Sequence, residues 1–229
     1  MILWRYLSTE FAFQALETGQ WKLGRIQELN DPLDCWPVVL PAREGKKGTG
    51  MDPELLLKCY TEDWGIICYT ESIHDPAVWA HYGDCHRGVA FGFDFPEEVA
   101  PLKVNYVEKR PFFYADQLMG GHISKEADRR AQLIRDGFLH KAPGWSFEKE
   151  HRHFVSFMDP SVEFRRPHYF TSVPKQYLKH IAIGIRSQAT NIDFTKFFGL
   201  SRPESTPLLR SVGRVRIDQE YNRVLFNLE

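Results

Sequence analysis

The chain has 229 residues, of which 43% are hydrophobic, and its 29 Lys and Arg residues nearly balance 30 Asp and Glu residues at a formal net charge of -1. This composition supports a folded core and excludes a strong overall attraction to nucleic acid or to anionic lipid. No stretch reaches the length of a membrane span, and the first segment meets a charge at Arg5, so we expect neither a signal peptide nor a membrane anchor. The cysteines form no Cys-x-x-Cys pair, which favours free thiols in the reducing cytoplasm.

Helices and strands are predicted in alternation along the chain. Apolar alternation predicts the strands, while Asp-Pro pairs and Ser or Thr caps predict helix starts. The predicted strands are 2–7, 21–26, 65–69, 89–94, 103–107, 145–157, 180–185, 212–217 and 223–227. The predicted helices are 9–18, 53–60, 76–82, 124–140 and 192–198, with a Gly- and Lys-rich loop at 42–52. These elements predict a single α+β domain over residues 1–229, in which helices flank a mixed or antiparallel sheet.

The stretch 145–157 carries the densest group of charged residues beside aromatic ones. On a strand, Glu148, Glu150 and Arg152 project from one face, while Lys149 and His151 face the other way. Two carboxylates and a guanidinium crowded together indicate either ligand binding or mutual pairing. The alternative is a solvated face with one internal ion pair.

Two earlier motifs carry groups suited to a phosphate or a ribose. Arg5 lies between Trp4 and Tyr6, and its planar fork suits a phosphate, although an edge-strand arginine between core aromatics fits equally well. Asn30 and Asp31 precede a proline, which is typical of a turn. Such a turn can also position a ligand.

A third motif places aromatic residues and a histidine on a predicted helix. Trp79 and Tyr82 are three residues apart and therefore neighbours on its surface. His81 is either a structural hydrogen bonder or a base. His81 and His86 lack a carboxylate at ligand spacing, so we expect no metal.

These motifs together resemble the bacterial domain-of-unknown-function family 2971. The resemblance runs in order from residue 3 to residue 155, which we take as the family-like core, and residues 156–229 as closing strands and a helix. The stretches that carry it are LWRYL, LGRIQELNDPLD, GIICYTESIHDPAVWAHYGDCHRGVAFGFD and FLHKAPGWSFEKEHRHFV.

The order of elements is also similar, more distantly, to ADP-ribosyltransferases. Those enzymes have an early strand with an Arg or His and a late strand with a Glu-x-Glu motif, which Arg5 and the pair Glu148 and Glu150 match here. The resemblance implies a split sheet and NAD as a substrate. It also implies a macromolecular acceptor, protein or nucleic acid, and a role as a toxin or anti-phage effector with an antitoxin partner.

The resemblance assigns roles to individual residues. Glu150 would stabilise the oxocarbenium-like transition state, and Glu148 would orient or deprotonate the nucleophile, with His81 as a further catalytic candidate. Arg5 would hold the diphosphate. The remaining candidates for binding NAD are Tyr6, Asn30, Asp31, Trp79, Tyr82, Trp145 and Arg152.

Two other functions compete with this prediction. A nuclease-type effector would use His81, Glu148, Glu150 and Arg152, with a divalent metal or a basic groove around them. A non-catalytic binding module would use the same charges only as a scaffold, in which they pair with His81, Lys141 or Arg5.

Overall fold

A mixed sheet of ten strands organises the protein within the residues that the structure describes. The structure is a computed structural model that describes residues 1–46, 52–118, 137–195, 197 and 209–227. Helices pack on a sheet in which most neighbours are antiparallel, so the fold is α+β, as predicted. No helix within these ranges is long and apolar enough to cross a membrane.

The strands are short and follow one another closely in the first half of the chain. They are β1 Ile2–Leu7, β2 Gln20–Arg25, β3 Val38–Leu40, β4 Trp64–Thr70, β5 Val89–Asp94, β6 Leu102–Lys103, β7 Asn105–Tyr106, β8 Phe112–Tyr114, β9 His140–Lys141, β10 Glu150–Ser156, β11 Glu163–Arg165, β12 His168–Ser172, β13 Leu178–Ile183, β14 Ser211–Arg214, β15 Arg216–Ile217 and β16 Val224–Leu225. The helices are α1 Thr9–Thr18, α2 Pro53–Glu62, α3 Pro76–Tyr82, α4 Ala115–Leu118 and α5 Asn191–Thr195. A three-ten helix, Pro143–Glu148, leads into β10.

Capping residues set the ends of the helices as the sequence predicts. The Ser8 side chain accepts a hydrogen bond from the backbone N–H of Phe11, and α1 ends at Gly19 with a φ of 69°. Asp52 and Asp75 cap α2 and α3, each of which begins with a proline. These local signals are strong because each one satisfies backbone groups that the helix leaves free.

The sheet divides where β1 and β2 approach the same edge of β4. β2 pairs only with the start of β4, through Gly24 and Arg25. β1 pairs only with the end of β4, between Trp4 and Thr70. The other edge of β4 pairs along its whole length with β10. Within the described residues, β1 and β2 therefore leave a gap opposite the middle of β4.

Arg5 bridges this gap in the sheet. Its guanidinium donates from Nη1 to the Cys68 carbonyl at 3.4 Å and from Nη2 to the Lys22 carbonyl at 2.9 Å. The side chain thus satisfies carbonyl groups on both β4 and β2, which the division of the sheet leaves without a strand partner.

Hydrophobic clusters cover both faces of the sheet. One face packs against α1 through Leu3, Trp21 and Phe91, and the other holds Trp4 and Trp79. Cys35, Cys68 and Cys85 are free thiols.

Several predicted boundaries are wrong. The strand predicted from Trp145 begins only at Glu150, because Pro143 starts a three-ten helix and Lys149 takes a left-handed conformation with a φ of 46°. His140 lies in a strand rather than at the end of a helix. The rest of that predicted helix up to residue 136 lies outside the described residues, as do residues 47–51 of the predicted loop and 196 and 198 of the last helix.

Candidate functional site: a charged cavity at the division of the sheet

A cavity of about 240 Å³ lies over the gap between β1, β2 and β4. Its lining contains Arg5, Cys68 and Tyr69 together with an acidic wall formed by Glu148 and Glu150. The segment after β2, the end of α3 and Lys141 complete the walls. The early arginine and the late acidic pair therefore line one cavity, although they are about 145 positions apart in the sequence.

Lys141 and Arg152 form the centre of a buried ion cluster at the acidic wall. The Lys141 ammonium lies 2.6 Å from Glu148, 3.0 Å from Glu150 and 3.2 Å from Asp34. Arg152 donates from Nε and Nη2 to the two carboxylate oxygens of Glu150, each at 2.8 Å, and from Nη2 to both oxygens of Asp34. Three carboxylates thus face two cations, which leaves one negative charge over when all are ionised.

The remaining donors of Arg152 are also occupied. Nη1 contacts the Cys35 Sγ at 2.8 Å and the Phe138 carbonyl at 2.7 Å, and the side chain is fully buried. A guanidinium with every N–H engaged inside the protein has no donor left for a ligand. The prediction that Arg152 binds NAD is therefore corrected, because all of its N–H donors contact the protein.

The two glutamates have different proton affinities. Burial raises the pKa of Glu148, and Lys141 and Tyr82 offset this only in part. Burial acts on Glu150 in the same direction, but Arg152 and Lys141 outweigh it and lower the pKa of Glu150 to about 2. Glu150 is thus a fixed anion, whereas Glu148 is the carboxyl that takes up a proton more readily.

A short polar chain leads from the cavity mouth to Glu148. Asn30 donates to the Tyr82 hydroxyl at 3.3 Å, and that hydroxyl donates to Glu148 Oε1. Burial and the neighbouring Glu148 raise the pKa of Tyr82, so the hydroxyl stays protonated and acts as a donor. Thr70 also donates to the Glu148 carbonyl, which fixes the end of the three-ten helix against β4.

Arg5 is a cation of a different kind. It is half-buried, its hydrogen-bond partners in the described residues are backbone carbonyls, and its Nε has no partner there. Burial lowers the pKa of Arg5, which the nearby Tyr69 and Cys68 offset only in part. A guanidinium in a cavity without a carboxylate partner favours an anionic ligand.

The structure brings six of the predicted site residues to the cavity, namely Arg5, Tyr6, Asn30, Tyr82, Glu148 and Glu150. Trp79 does not line it. The indole is fully buried and donates to the Ile73 carbonyl at 2.8 Å, and it packs edge-on against the Tyr6 ring with the ring centroids 4.8 Å apart. The interpretation of Trp79 as a stacking platform is therefore corrected.

Three further predicted residues lie beside the cavity rather than on its walls. Asp31 accepts from the Leu33 N–H and so forms the turn that its sequence predicts. His81 is exposed and contacts the Trp145 ring at 6.3 Å. Trp145 lies outside the lining, and its ring is 5.1 Å from the Lys141 ammonium.

The sequence interpretation did not name Asp34 or Cys68 as site residues. It named Lys141 only as a possible ion-pair partner in the non-catalytic alternative, and Lys141 does pair with Glu148 and Glu150. Asp34 lies in the same turn segment as Asn30, but its burial depends on β9 and β10, which are distant in sequence. For Lys141, the apolar pair Phe138 and Leu139 just before it was a usable signal of a buried segment. No group of three or more His, Cys, Asp or Glu residues in the described ranges is arranged to hold a metal ion.

The fold and the cavity define an α+β protein with a charged cavity at the division of its sheet. The family model described as Protein of unknown function (DUF2971) matches residues 78–153, which is about one third of the chain. This match confirms the resemblance to that family, over a range that contains Tyr82, Lys141, Glu148, Glu150 and Arg152. Searches of curated proteins and of solved structures found no match.

Proposed function

We propose that the protein is an ADP-ribosyltransferase-like enzyme that consumes NAD, and that the bond between nicotinamide and ribose breaks in the cavity. The ADP-ribose then passes to a macromolecular acceptor, as a toxin or anti-phage effector would use it. The observation that carries this proposal is that an arginine without a carboxylate partner in the described residues and an acidic cluster line one cavity.

The charges of the cavity match those of the nicotinamide half of NAD. The Arg5 guanidinium has no carboxylate partner in the described residues, whereas the acidic wall carries one negative charge in excess when Asp34, Glu148 and Glu150 are all ionised. Nicotinamide in NAD is a cationic pyridinium, and it is joined through ribose to an anionic diphosphate. We therefore expect the diphosphate near Arg5 and the pyridinium near the acidic wall.

The size of the cavity supports one half of the dinucleotide inside it. About 240 Å³ lies below the roughly 300–1,000 Å³ of pockets that enclose drug-sized ligands. We expect the nicotinamide and its ribose to enter and the adenosine to extend towards solvent. Trp145 is half-buried beside the acidic wall, and in this pose it is a candidate for stacking on adenine.

The different proton affinities of the glutamates suit two roles. Glu150 stays ionised because Arg152 and Lys141 hold its pKa at about 2, so it suits the stabilisation of the positive charge that develops on the ribose. Glu148 has a raised pKa and a hydrogen bond from Tyr82, so it suits the transfer of a proton to or from the acceptor.

Release of nicotinamide from NAD tests the proposal. We expect the wild-type protein to release nicotinamide, and Glu150→Gln to reduce the rate about a thousandfold because it removes the fixed anion. Glu163→Gln is the matched control, because Glu163 also pairs with an arginine two positions later but lies on the surface. Circular dichroism and urea unfolding would show that both variants fold.

A wild-type protein that releases no nicotinamide with protein, RNA, DNA and small-molecule acceptors would contradict the proposal. A non-catalytic binding module would then be favoured, because both oxygens of Glu148 and of Glu150 already have partners inside the protein. In that case Glu150→Gln would lower the unfolding midpoint, and NAD would leave the midpoint of the wild-type protein unchanged.

A further inference from the structure

The Lys141 ammonium is shared among three carboxylates. It has three N–H donors, and its neighbours are Glu148 at 2.6 Å, Glu150 at 3.0 Å and Asp34 at 3.2 Å. Only 3% of the side chain is exposed. The lysine is therefore saturated, and it is neither a free nucleophile nor a ligand for phosphate.

Glu148 and Glu150 depend on Lys141 to different degrees. Arg152 binds both oxygens of Glu150, so this carboxylate keeps its partner and its orientation without the lysine. Glu148 has one neutral partner, the Tyr82 hydroxyl, and one cationic partner, Lys141, among the described residues. Lys141 is thus the cation that both orients Glu148 and favours its ionised form.

Asp34 completes the arrangement. It contacts Lys141 and Arg152, and within the described residues it has no hydrogen bond with Glu148. Its negative charge stabilises both cations in place, and it also supplies the charge that the cluster has in excess. Lys141 and Asp34 should therefore act on Glu148 in opposite directions.

We propose that Lys141 and Asp34 are positioning residues, which hold the Glu148 carboxylate towards the cavity and set the pH at which it exchanges its proton. This inference rests on the proposed function, in which Glu148 transfers the proton. The charged and titratable groups around Glu148 are Lys141, Glu150, Tyr82, Asp34, Arg152 and Tyr106.

Direct titration of Glu148 tests the inference without any ligand. Glutamate labelled with ¹³C at the side-chain carboxyl gives one NMR signal per residue, and Glu148→Gln assigns the signal of interest. We expect Lys141→Met to raise the midpoint of the Glu148 titration by about one pH unit or more, because an attractive cation is lost. We expect Asp34→Asn to lower it, because a repulsive anion is lost while the shape of the side chain is kept.

Lys58→Met is the matched control for the loss of a lysine. Lys58 pairs with Glu62 at 3.7 Å on the surface of α2, and its loss should leave the Glu148 titration unchanged. If the two residues had a merely structural role, Lys141→Met and Asp34→Asn would shift the midpoint of the Glu148 titration in the same direction or leave it unchanged. Either result would overturn the inference. If Lys141→Met does not fold, Asp34→Asn alone tests the inference, and an unchanged or higher midpoint of the Glu148 titration would overturn it.

The pH dependence of turnover separates this inference from the proposed function. If nicotinamide is released, Lys141→Met should lower kcat more than it changes KM. The acidic limb of its pH–rate profile should move to higher pH together with the Glu148 titration, because Glu148 must be ionised to deprotonate the acceptor. Lys141→Arg should restore most of the rate. If neither the wild-type protein nor any variant releases nicotinamide, the NAD reaction is refuted. The positioning role is still supported if Lys141→Met and Asp34→Asn shift the Glu148 titration in opposite directions.

Discussion

Within the described residues, the same kind of ion pair occurs twice, once buried and once exposed. Glu150 pairs with Arg152 in β10, and Glu163 pairs with Arg165 in β11, each with one residue between them. Both arginines donate from Nε and Nη2 to the two oxygens of the carboxylate, at 2.8 and 2.8 Å in β10 and at 2.6 and 2.8 Å in β11.

The two pairs differ in what surrounds them. The side chains of Glu150 and Arg152 are 6% and 0% exposed, whereas those of Glu163 and Arg165 are 47% and 41% exposed. β11 is an edge strand, and its pair is open to solvent. β10 lies between β4 and β6, so Lys141 and Asp34 must complete the bonds of the buried pair. Equal geometry therefore does not give equal energetic weight.

The largest expected effect is the loss of the buried arginine. Arg152→Met should lower the free energy of unfolding by about 3–5 kcal/mol, because Glu150 and Asp34 would stay buried with only Lys141 to balance them. Urea unfolding at pH 7 measures this, with Arg165→Met as the matched change in the exposed pair. A loss below about 1 kcal/mol for Arg152→Met would show that the cluster is hydrated and not buried.

Acid titration gives the next largest effect. The pKa of Glu150 is lowered to about 2 in the folded protein, so its stabilisation is present above the ordinary glutamate pKa and is lost as the pH falls towards 2. The full contribution is about 3 kcal/mol, of which about half should be lost by pH 3. Glu148 acts in the opposite direction, because burial raises its pKa in the folded protein. Its contribution to the free energy of unfolding therefore falls as the pH rises.

A comparison of variants isolates this effect. Urea unfolding gives the free energy of unfolding at pH 5 and at pH 3. Between these pH values, Glu150→Gln should lose less of it than the wild-type protein. Glu163→Gln should lose as much as the wild-type protein, because the Glu163–Arg165 pair is exposed and solvent screens it. Equal losses for all three proteins would assign the acid sensitivity to other carboxylates.

Local signals in the sequence predicted the elements, and long-range contacts decided the site. The strand Ile2–Leu7, the cap at Ser8 and the start of α3 at Pro76 follow from neighbouring residues, and the structure agrees with each. The early arginine and the late glutamates could be predicted as site residues because their chemistry is distinctive. Their burial could not be predicted, because the same Glu-x-Arg spacing recurs on the surface in β11.

The residues that were not predicted to line the site show the same limit. Asp34 lies in a sequence typical of a turn, and Lys141 follows a charged segment, yet both are buried among partners of opposite charge. Asp34 contacts two cations, and Lys141 contacts three carboxylates. Pro143 was the local signal against a strand at Trp145, since proline suits the first turn of a helix. The left-handed conformation of Lys149 depends on the packing of Glu148 against β4 and had no signal in the sequence.

Arg5 extends the comparison to an arginine without a carboxylate. Arg5→Gln should fold, because an amide can still donate to the Lys22 or Cys68 carbonyl, but NAD should bind about tenfold more weakly or worse. Isothermal titration calorimetry measures the affinity. Arg25→Gln is the control, because Arg25 also donates to a carbonyl, that of Pro167 at 3.3 Å, and does not line the cavity. Equal affinities for the two variants would remove Arg5 from the phosphate site.

The smallest expected effect is that of Arg165→Met, and it decides what the comparison teaches. Its two hydrogen bonds to Glu163 are as short as those of the buried pair, and Gln20 also donates to Glu163 at 2.8 Å, so geometry alone predicts a strong pair. Both side chains stay hydrated after the arginine is lost, so no charge is left without solvent. We therefore expect the urea midpoint to stay within measurement scatter, at low salt and at 1 M salt alike. A shift comparable with that of Arg152→Met would mean that the bidentate geometry, and not burial, gives the Glu-x-Arg pair of β10 its weight.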